Sequence, residues 1–570
     1  MATPSAARSS AVDHLAERYL EASAALDPIS ATNVGLSGYD DRLTDYSPEG
    51  HAARAALLRA TLREVDAAER DRSADLDRTD RITVAALRER LGLELERSTL
   101  GETARSLNVI SSPVQDVRAV FDLMPTATAQ DWQTVAARLL AVPEALAGYR
   151  LSLTDEARAG RRPARRQVEK VAAQCADYGG ADAGFFVTFA AGADADGAPL
   201  SDELRADLQR SAATAASAYR DLGHFLRTDL LPDADPADAV GEERYRLGSR
   251  YFLGAAVDLL ETYEWGQDEL ARIEAEMARV AEQIEPGADL YRAIEVLDAD
   301  PARRIHGREE FRAWMQDLSD RTVAELGQTH FDIPEPIRRL DCRIAPTETG
   351  GIYYTPPSED FSRPGAMWWS VPKGVEDFST WREVTTVFHE GVPGHHLQCA
   401  QTAYRAAELN RWRRLGCWVS GHGEGWALYA ERLMADLGHL DDPGARLGML
   451  DGQAFRAARV VLDIGVHLQL PVPPELGEGT WDAERAWTFL RRHARVGEQL
   501  LGFELDRYLG WPGQAPSYKV GERIWLDLRE QVRTAEGAGF DLTAFHRRAL
   551  DVGSVGLDVL RTALLEDQPA

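Results

Sequence analysis

The segment His389-Glu390-Gly391-Val392-Pro393-Gly394-His395-His396 sets three imidazoles and a carboxylate within eight residues. These groups are ordinary ligands of Zn²⁺. The segment opens like the H-E-x-x-H helix, in which two His one turn apart hold the metal and the Glu serves as general base. Here Pro393 stands where the second His would fall, and the next imidazoles come six and seven positions after His389. A regular helix separates residues i and i+4 by about 6 Å along its axis and residues i and i+7 by about 10.5 Å. His396 would therefore lie too far from His389 to share one ion on an unbroken helix. Pro393 deletes the amide that would bond back to His389, and Gly394 accepts unusual dihedrals. The spacing predicts a lengthened turn that absorbs two residues and returns His395 to the ligand place. His396, which needs a three-residue bulge, is the alternative ligand, and the imidazole left over would face substrate or support the site.

A third ligand is sought further along. Ser420-Gly-His-Gly-Glu-Gly-Trp-Ala-Leu-Tyr-Ala-Glu431 offers Glu424 and Glu431, seven residues apart and so on one helical face. Glu424, between glycines that permit close backbone approach, is the expected ligand. Glu431 is the expected partner of a ligating His. With zinc bound, water would be acidified to a pKa of about 7, and Glu390 would take its proton as it attacks a carbonyl. The developing oxyanion needs a donor, for which Tyr518 is the candidate, with Lys519 beside it. The alternative for this pair is a helix-start tyrosine and a solvated lysine.

Arg456, Arg459, Asp463 and His467 recur close to one face of a helix. Arg456 and His467 are candidate substrate contacts, whereas Arg459 with Asp463 reads as a supporting ion pair. Tyr353 and Tyr354 fall in a β-favouring stretch whose edge would suit an extended peptide, with Tyr353 as the candidate contact. Trp368 and Trp369 read as core, His422 as a loop residue, and His51, His224 and His330 carry no partner pattern.

The elements that must position these residues are mostly helices. Helical apolar spacing runs through Val12–Leu26, Ala52–Arg70, Trp132–Tyr149, Asp202–Leu231, Val257–Ile284, Arg308–Leu326, Trp381–Arg405, Gly425–Leu437, Ala454–Leu470 and Tyr518–Ala535. Thr380-x-x-Glu383 has the capping-box pattern, so the motif helix is expected to start there. Between Arg338 and Val371 short β-favouring runs, Gly351–Thr355 and Ala366–Val371, alternate with Gly and Pro and predict a small sheet beside that helix. The division expected is a helical N-terminal lobe over residues 1–335 and a catalytic lobe over 336–570, the two being open to integration as one domain.

The 570 residues are 44% apolar and 27% charged, as in globular proteins. A net charge of −28 argues against nucleic-acid and anionic-membrane partners. The chain start lacks the apolar core of a secretory peptide, and no stretch approaches a membrane span. Cys175, Cys342, Cys399 and Cys417 have no C-x-x-C spacing and read as buried thiols in a reducing cytoplasm.

H-E-x-x-P-G-H-H-x-Q, then E-G-W-A-L-Y-A-E, then P-G-Q-A-x-S-Y-K-x-G ending at Gly521, resemble in that order the bacterial domain-of-unknown-function 885 family (DUF885). The G-x-x-x-Y-D-D-R-L run between Pro28 and Asp45 fits the same pattern, so the likeness covers nearly the whole chain. The family is similar in architecture to the carboxypeptidase Taq group of zinc peptidases. The resemblance implies a mainly α, two-lobed, zincin-like metallopeptidase fold with a deep channel and one zinc ion per chain. The function expected is zinc-dependent hydrolysis of short peptides, carboxypeptidase- or oligopeptidase-like, with a homodimer left open. The alternatives are a metal-dependent hydrolase of a non-peptide amide and a non-catalytic helical binding protein that has lost its metal. No G-x-S-x-G elbow and no strand–G-x-G-x-x-G–helix unit is present, which excludes the serine-hydrolase and dinucleotide readings.

Overall fold

Amphipathic helices need apolar partners, and here they find them in one another. The computed structural model describes residues 8–71, 76–345 and 351–566. The first seven residues, where no leader is expected, and residues 346–350 of the predicted β patch lie outside the described residues. Among the described residues the chain forms twenty-two α-helices and five short strands, so the mainly α class is as expected. The predicted helices appear with shifted ends, for example Ala11–Leu26, Pro48–Arg70, Ala129–Arg158, Asp202–Phe225 and Leu259–Ile284. Their starts are fixed by side-chain caps. Ser10 forms a capping box with Asp13, and Ser201 accepts from Leu204 N–H.

Among the described residues three apolar cores form. One lies wholly among N-terminal helices and includes Val142, Tyr149, Phe186 and Tyr219. A small one, built on Phe311, Met315, Met367 and Trp369, fills the space beneath the sheet. The largest runs from Val12 and Leu87 through Met277 to Trp426, Val461 and Trp525, drawing on both sides of residue 335.

The strands are β1 (Arg304–His306), β2 (Leu340–Ile344), β3 (Ile352–Thr355), β4 (Gly365–Trp369) and β5 (Asp377–Ser379). β1 pairs antiparallel with β5, while β2, β4 and β3 form a second sheet in that order, β2–β4 parallel and β4–β3 antiparallel. The second sheet is the predicted patch; β1 and β5 are too short to leave a periodic signal.

The expected single helix over Trp381–Arg405 is instead two, Thr380–Glu390 and His395–Tyr404, joined by a tight turn. The capping box expected at Thr380 is absent: the N-cap is Ser379, with no side-chain cap bond. In the turn, Gly394 N–H donates to Phe388 O at 3.1 Å and His396 N–H to Gly391 O at 3.1 Å. A Cβ on Gly394 would lie 1.9 Å from His389 O, so the chain can pass there only as glycine.

Two helix pairs hold this turn from behind. Leu259–Ile284 packs along Pro443–Leu468, and the second pairs Ser420–Asp436 with Ser517–Glu536. The second pair crosses at glycines. A Cβ on Gly425 would sit 2.5 Å from the Gly521 carbonyl carbon, and one on Gly521 would sit 2.4 Å from Gly421 O. That close approach brings the segment carrying Tyr518 against the one carrying Glu424. Among the described residues no helix is long and apolar enough to cross a membrane.

Candidate metal centre

His389 ends one helix, His395 begins the next, and Glu424 lies in the first turns of the helix Ser420–Asp436. The turn between the two helices carries His395 back towards His389 until their rings stand 4.8 Å apart, edge to face. His389 Nε2 and His395 Nε2 each lie 3.5 Å from Glu424 Oε2. One ligand atom from each of these three residues falls within 4.8 Å of the others, the one such group among the described residues. A tetrahedral zinc ion about 2.0–2.2 Å from each ligand separates neighbouring ligand atoms by about 3.3–3.5 Å. The two His–Glu424 separations match that spacing, and all three ligand atoms lie within 4.8 Å of one another.

The buried carboxylates around His389 determine its electrostatics. Glu431 Oε1 takes the Nδ1–H of His389 at 2.7 Å, and Glu431 Oε2 accepts from Thr385 Oγ1 at 2.7 Å. Burial alone would lower the pKa of His389, but Glu424 and Glu431 outweigh it and push the ring up to about 9. Burial opposes the charge of Glu424 as well, yet the two imidazoles hold its carboxyl well below the usual range. Glu431, despite burial, is held down by Arg456 and His389. His389 thus stands between two carboxylates, Glu424 at its Nε2 and Glu431 at its Nδ1.

Glu390 is buried and next in sequence to His389, and its Oε2 has no hydrogen-bond partner among the described residues. Burial raises its pKa against the pull of the two imidazoles. Tyr518 lies in the field of Glu424, and the Arg459 guanidinium sits 5.1 Å from the centre of its ring. Burial and then Glu424 raise the phenol's pKa, so it keeps a proton to donate.

Other candidates fall elsewhere. His396, the alternative ligand, is fully enclosed, with Nε2–H donating to Ile337 O at 2.6 Å. Its Nδ1 lies 3.0 Å from Tyr354 OH and accepts that proton, since burial pushes the ring down to about 4 and keeps it neutral. Both nitrogens are used, so His396 neither ligates nor faces substrate; it locks β3 to the motif region. His467, expected to touch substrate, is enclosed with Nε2–H on Tyr508 O at 3.0 Å and belongs to the core. Arg456 points to Glu431, 3.8 Å away, behind the trio. The Arg459–Asp463 pair does not form. Arg459 binds Glu504 at 3.0 Å, while Asp463 accepts from Tyr245 OH and from Gly513 N–H. Tyr353 is half-exposed on the outer strand β3 and stacks on Trp368 across the register, whereas Trp369 is core as expected. Lys519 is not solvated but buried against Gln453, Glu522 and Glu269. His422 is likewise no loop residue: it sits in a helix, with Nδ1–H on Val555 O at 3.0 Å.

Several supporting residues escaped the sequence reading. Thr385 precedes His389 by one helical turn, a cue that periodicity offers in hindsight. Trp426 donates to Pro393 O at 2.8 Å and clamps the turn, and it belongs to the E-G-W-A run. Arg507, Glu504 and Tyr508, which brace Tyr518 and Arg459, carry no local signal.

Fold and site together define a mainly helical protein with a His-His-Glu trio, its two imidazoles buried, at a helix–turn–helix junction. The chain belongs to the family described as "Bacterial protein of unknown function (DUF885)", whose model matches residues 28–564. In structure it is similar to the "putative lipoprotein from Colwellia psychrerythraea", with a TM-score of 0.82 and 24% identity, covering 98% of this chain and 99% of that one. It is similar also to a "putative lipoprotein of unknown function from Shewanella oneidensis", with a TM-score of 0.73 and 18% identity, covering 98% and 100%. At these identities the likeness is one of fold. No curated protein matches the chain.

Proposed function

We propose that this protein is a zinc-dependent metallopeptidase that hydrolyses short peptides, carboxypeptidase- or oligopeptidase-like in mode. The observation that carries the proposal is the trio itself, with two imidazole nitrogens each 3.5 Å from one carboxylate oxygen and a buried, unpartnered Glu390 oxygen on the adjoining residue. The zincin-like fold with a channel and the likeness to carboxypeptidase Taq peptidases are part of the same proposal and rest on the order of the three motifs.

His389, His395 and Glu424 would hold the ion. When bound, zinc supplies Lewis acidity, polarising a carbonyl and bringing the pKa of water to about 7. The chain does the rest. Glu431 keeps the proton of His389 on Nδ1, which leaves Nε2 as the donor atom of that ring. Thr385 and Arg456 hold Glu431 in its charged form and in place. Glu390 takes a proton from attacking water at its free oxygen and passes it to the leaving amine. Tyr518 O–H donates to the oxyanion as the scissile carbonyl becomes tetrahedral. The four unpaired cysteines favour a reducing compartment, and we propose the cytoplasm; the two solved relatives carry the description of lipoprotein, so cell fractionation checks this point.

The test is metal analysis of the purified protein together with peptide turnover. About one zinc per chain and cleavage that stops on chelation and returns with zinc are expected. No zinc above trace after reconstitution would end the metallopeptidase reading.

A further inference from the structure

A cavity of about 560 Å³ lies away from the trio, among the helices Ala11–Leu26, Pro48–Arg70 and Arg78–Thr99. Its wall is strongly aromatic, with Tyr19, Tyr46, Trp412, Trp418 and Trp511 facing it. Trp418 joins the two places. It lines the cavity, its ring is 6.3 Å from that of His395, and its indole covers Gly423, where a Cβ would approach it to 2.3 Å. The cavity therefore ends against the residue that precedes Glu424.

The charges in the wall are mostly answered. Arg97 pairs with Glu94 at 3.0 Å and lies over Tyr251, and Arg90 pairs with Glu89. Asp27 accepts from Thr44 and Ser30 side chains, and Arg54 donates to Asp45 O at 2.7 Å and to His51 Nδ1 at 3.1 Å. Asp116 differs, because its carboxylate has no hydrogen-bond or ion-pair partner among the described residues. Burial, and then the charge of Asp27, push its carboxyl up to about 7, so no neighbouring cation compensates it. His51 Nε2, in the same wall, is enclosed and also unpartnered.

A partly buried carboxylate without a partner, in an open aromatic-walled cavity, suits a compact cation. A carboxylate–ammonium hydrogen bond is stronger there than in water, and aromatic faces add to the attraction. We propose that this cavity binds the protonated amino terminus of a short peptide, held by Asp116, with the peptide running along the aromatic wall past Trp418 to the trio. The inference rests on the peptidase reading for what happens beyond Trp418, but amine capture requires neither metal nor turnover. It makes a free amino terminus the determinant of recognition, which favours the oligopeptidase form of that reading over the carboxypeptidase form.

The experiment compares tetra-alanine with N-acetyl-tetra-alanine, first by calorimetric binding to the full chain and then by turnover. The free amine is expected to bind at least about tenfold more tightly, a difference of about 1.4 kcal/mol. Asp116→Asn should abolish that preference while leaving zinc content and binding of the acetylated peptide unchanged. Equal affinity for the two peptides, or no binding of either, would overturn the proposal, as would an Asp116→Asn variant, folded by circular dichroism, that keeps the preference. Loss of turnover with the binding preference intact would instead count against the peptidase reading alone.

Discussion

Two side chains in the motif differ in what they have left to offer. His395 has an Nε2 beside Glu424 and an Nδ1 without a partner, while His396 has spent both nitrogens on Ile337 O and Tyr354 OH. Substituting them should therefore separate metal binding from stability. His395→Ala is expected to lose zinc while the fold persists. His396→Ala should retain zinc but destabilise the protein by about 1–3 kcal/mol, because a buried carbonyl and hydroxyl lose their partner; metal content and thermal unfolding of both variants check this. Glu390 supplies the second contrast at this scale. Glu390→Gln keeps the shape and removes the base, so zinc content should be unchanged and peptide turnover should fall by about 10²–10⁴-fold. Retained turnover would remove Glu390 from the mechanism.

At the scale of elements, the site depends on close approaches that only glycine allows. The turn between Thr380–Glu390 and His395–Tyr404 brings Gly394 so near the His389 carbonyl that a methyl group would overlap it. Gly394→Ala is expected to cost about 1–3 kcal/mol or more in stability and to weaken zinc binding, since the backbone must move to relieve the overlap. Unfolding midpoints and zinc titration read the two effects. The break in the motif helix was legible in Pro393-Gly394, and its consequence, the return of His395, followed from counting residues. The starting cap was misread because Thr380-x-x-Glu383 looks local, whereas Glu383 is drawn towards Trp369, and burial raises its carboxyl to about 7 against that hydrogen bond. Local caps yield when tertiary packing claims the side chain.

In the molecule as a whole, helices from both halves share one core, and Asp463 is one of the pins. It is enclosed in the helix Pro443–Leu468, accepts from Tyr245 of the helix Glu242–Leu253, and caps the loop at Gly513. Burial, against the hydrogen bonds of Tyr245 and Gly513, pushes its carboxyl up to about 7. The unfolded chain releases this proton near pH 3.9, so between about pH 4 and 7 the native state binds more protons than the unfolded one. Stability from this group therefore falls as pH rises across that window and is constant above it. Asp463→Asn, which keeps an acceptor for both donors, should flatten the dependence and gain most at pH 8. A pH series of thermal unfolding for the two proteins checks it, and parallel curves would refute the assignment.

The sequence by itself determined the helical class and the small sheet, and it singled out His389, His395, Glu424, Glu431 and Glu390, which the fold brings together. Each of these rests on local spacing: apolar period, a Pro-Gly interruption, or two glutamates seven apart on one helix. What only the tertiary structure decided was the fate of side chains whose partners are distant in the chain. His396 met Ile337 and Tyr354, His467 met the Tyr508 carbonyl, and Arg459 chose Glu504 over the Asp463 on its own helix face. Arg456 and His467 on that helix read as substrate contacts because charge at helical spacing looks alike on a surface and in a buried network. Desolvation makes the difference: a buried polar group must find its partner wherever packing delivers one, and sequence spacing carries no record of contacts made across the fold.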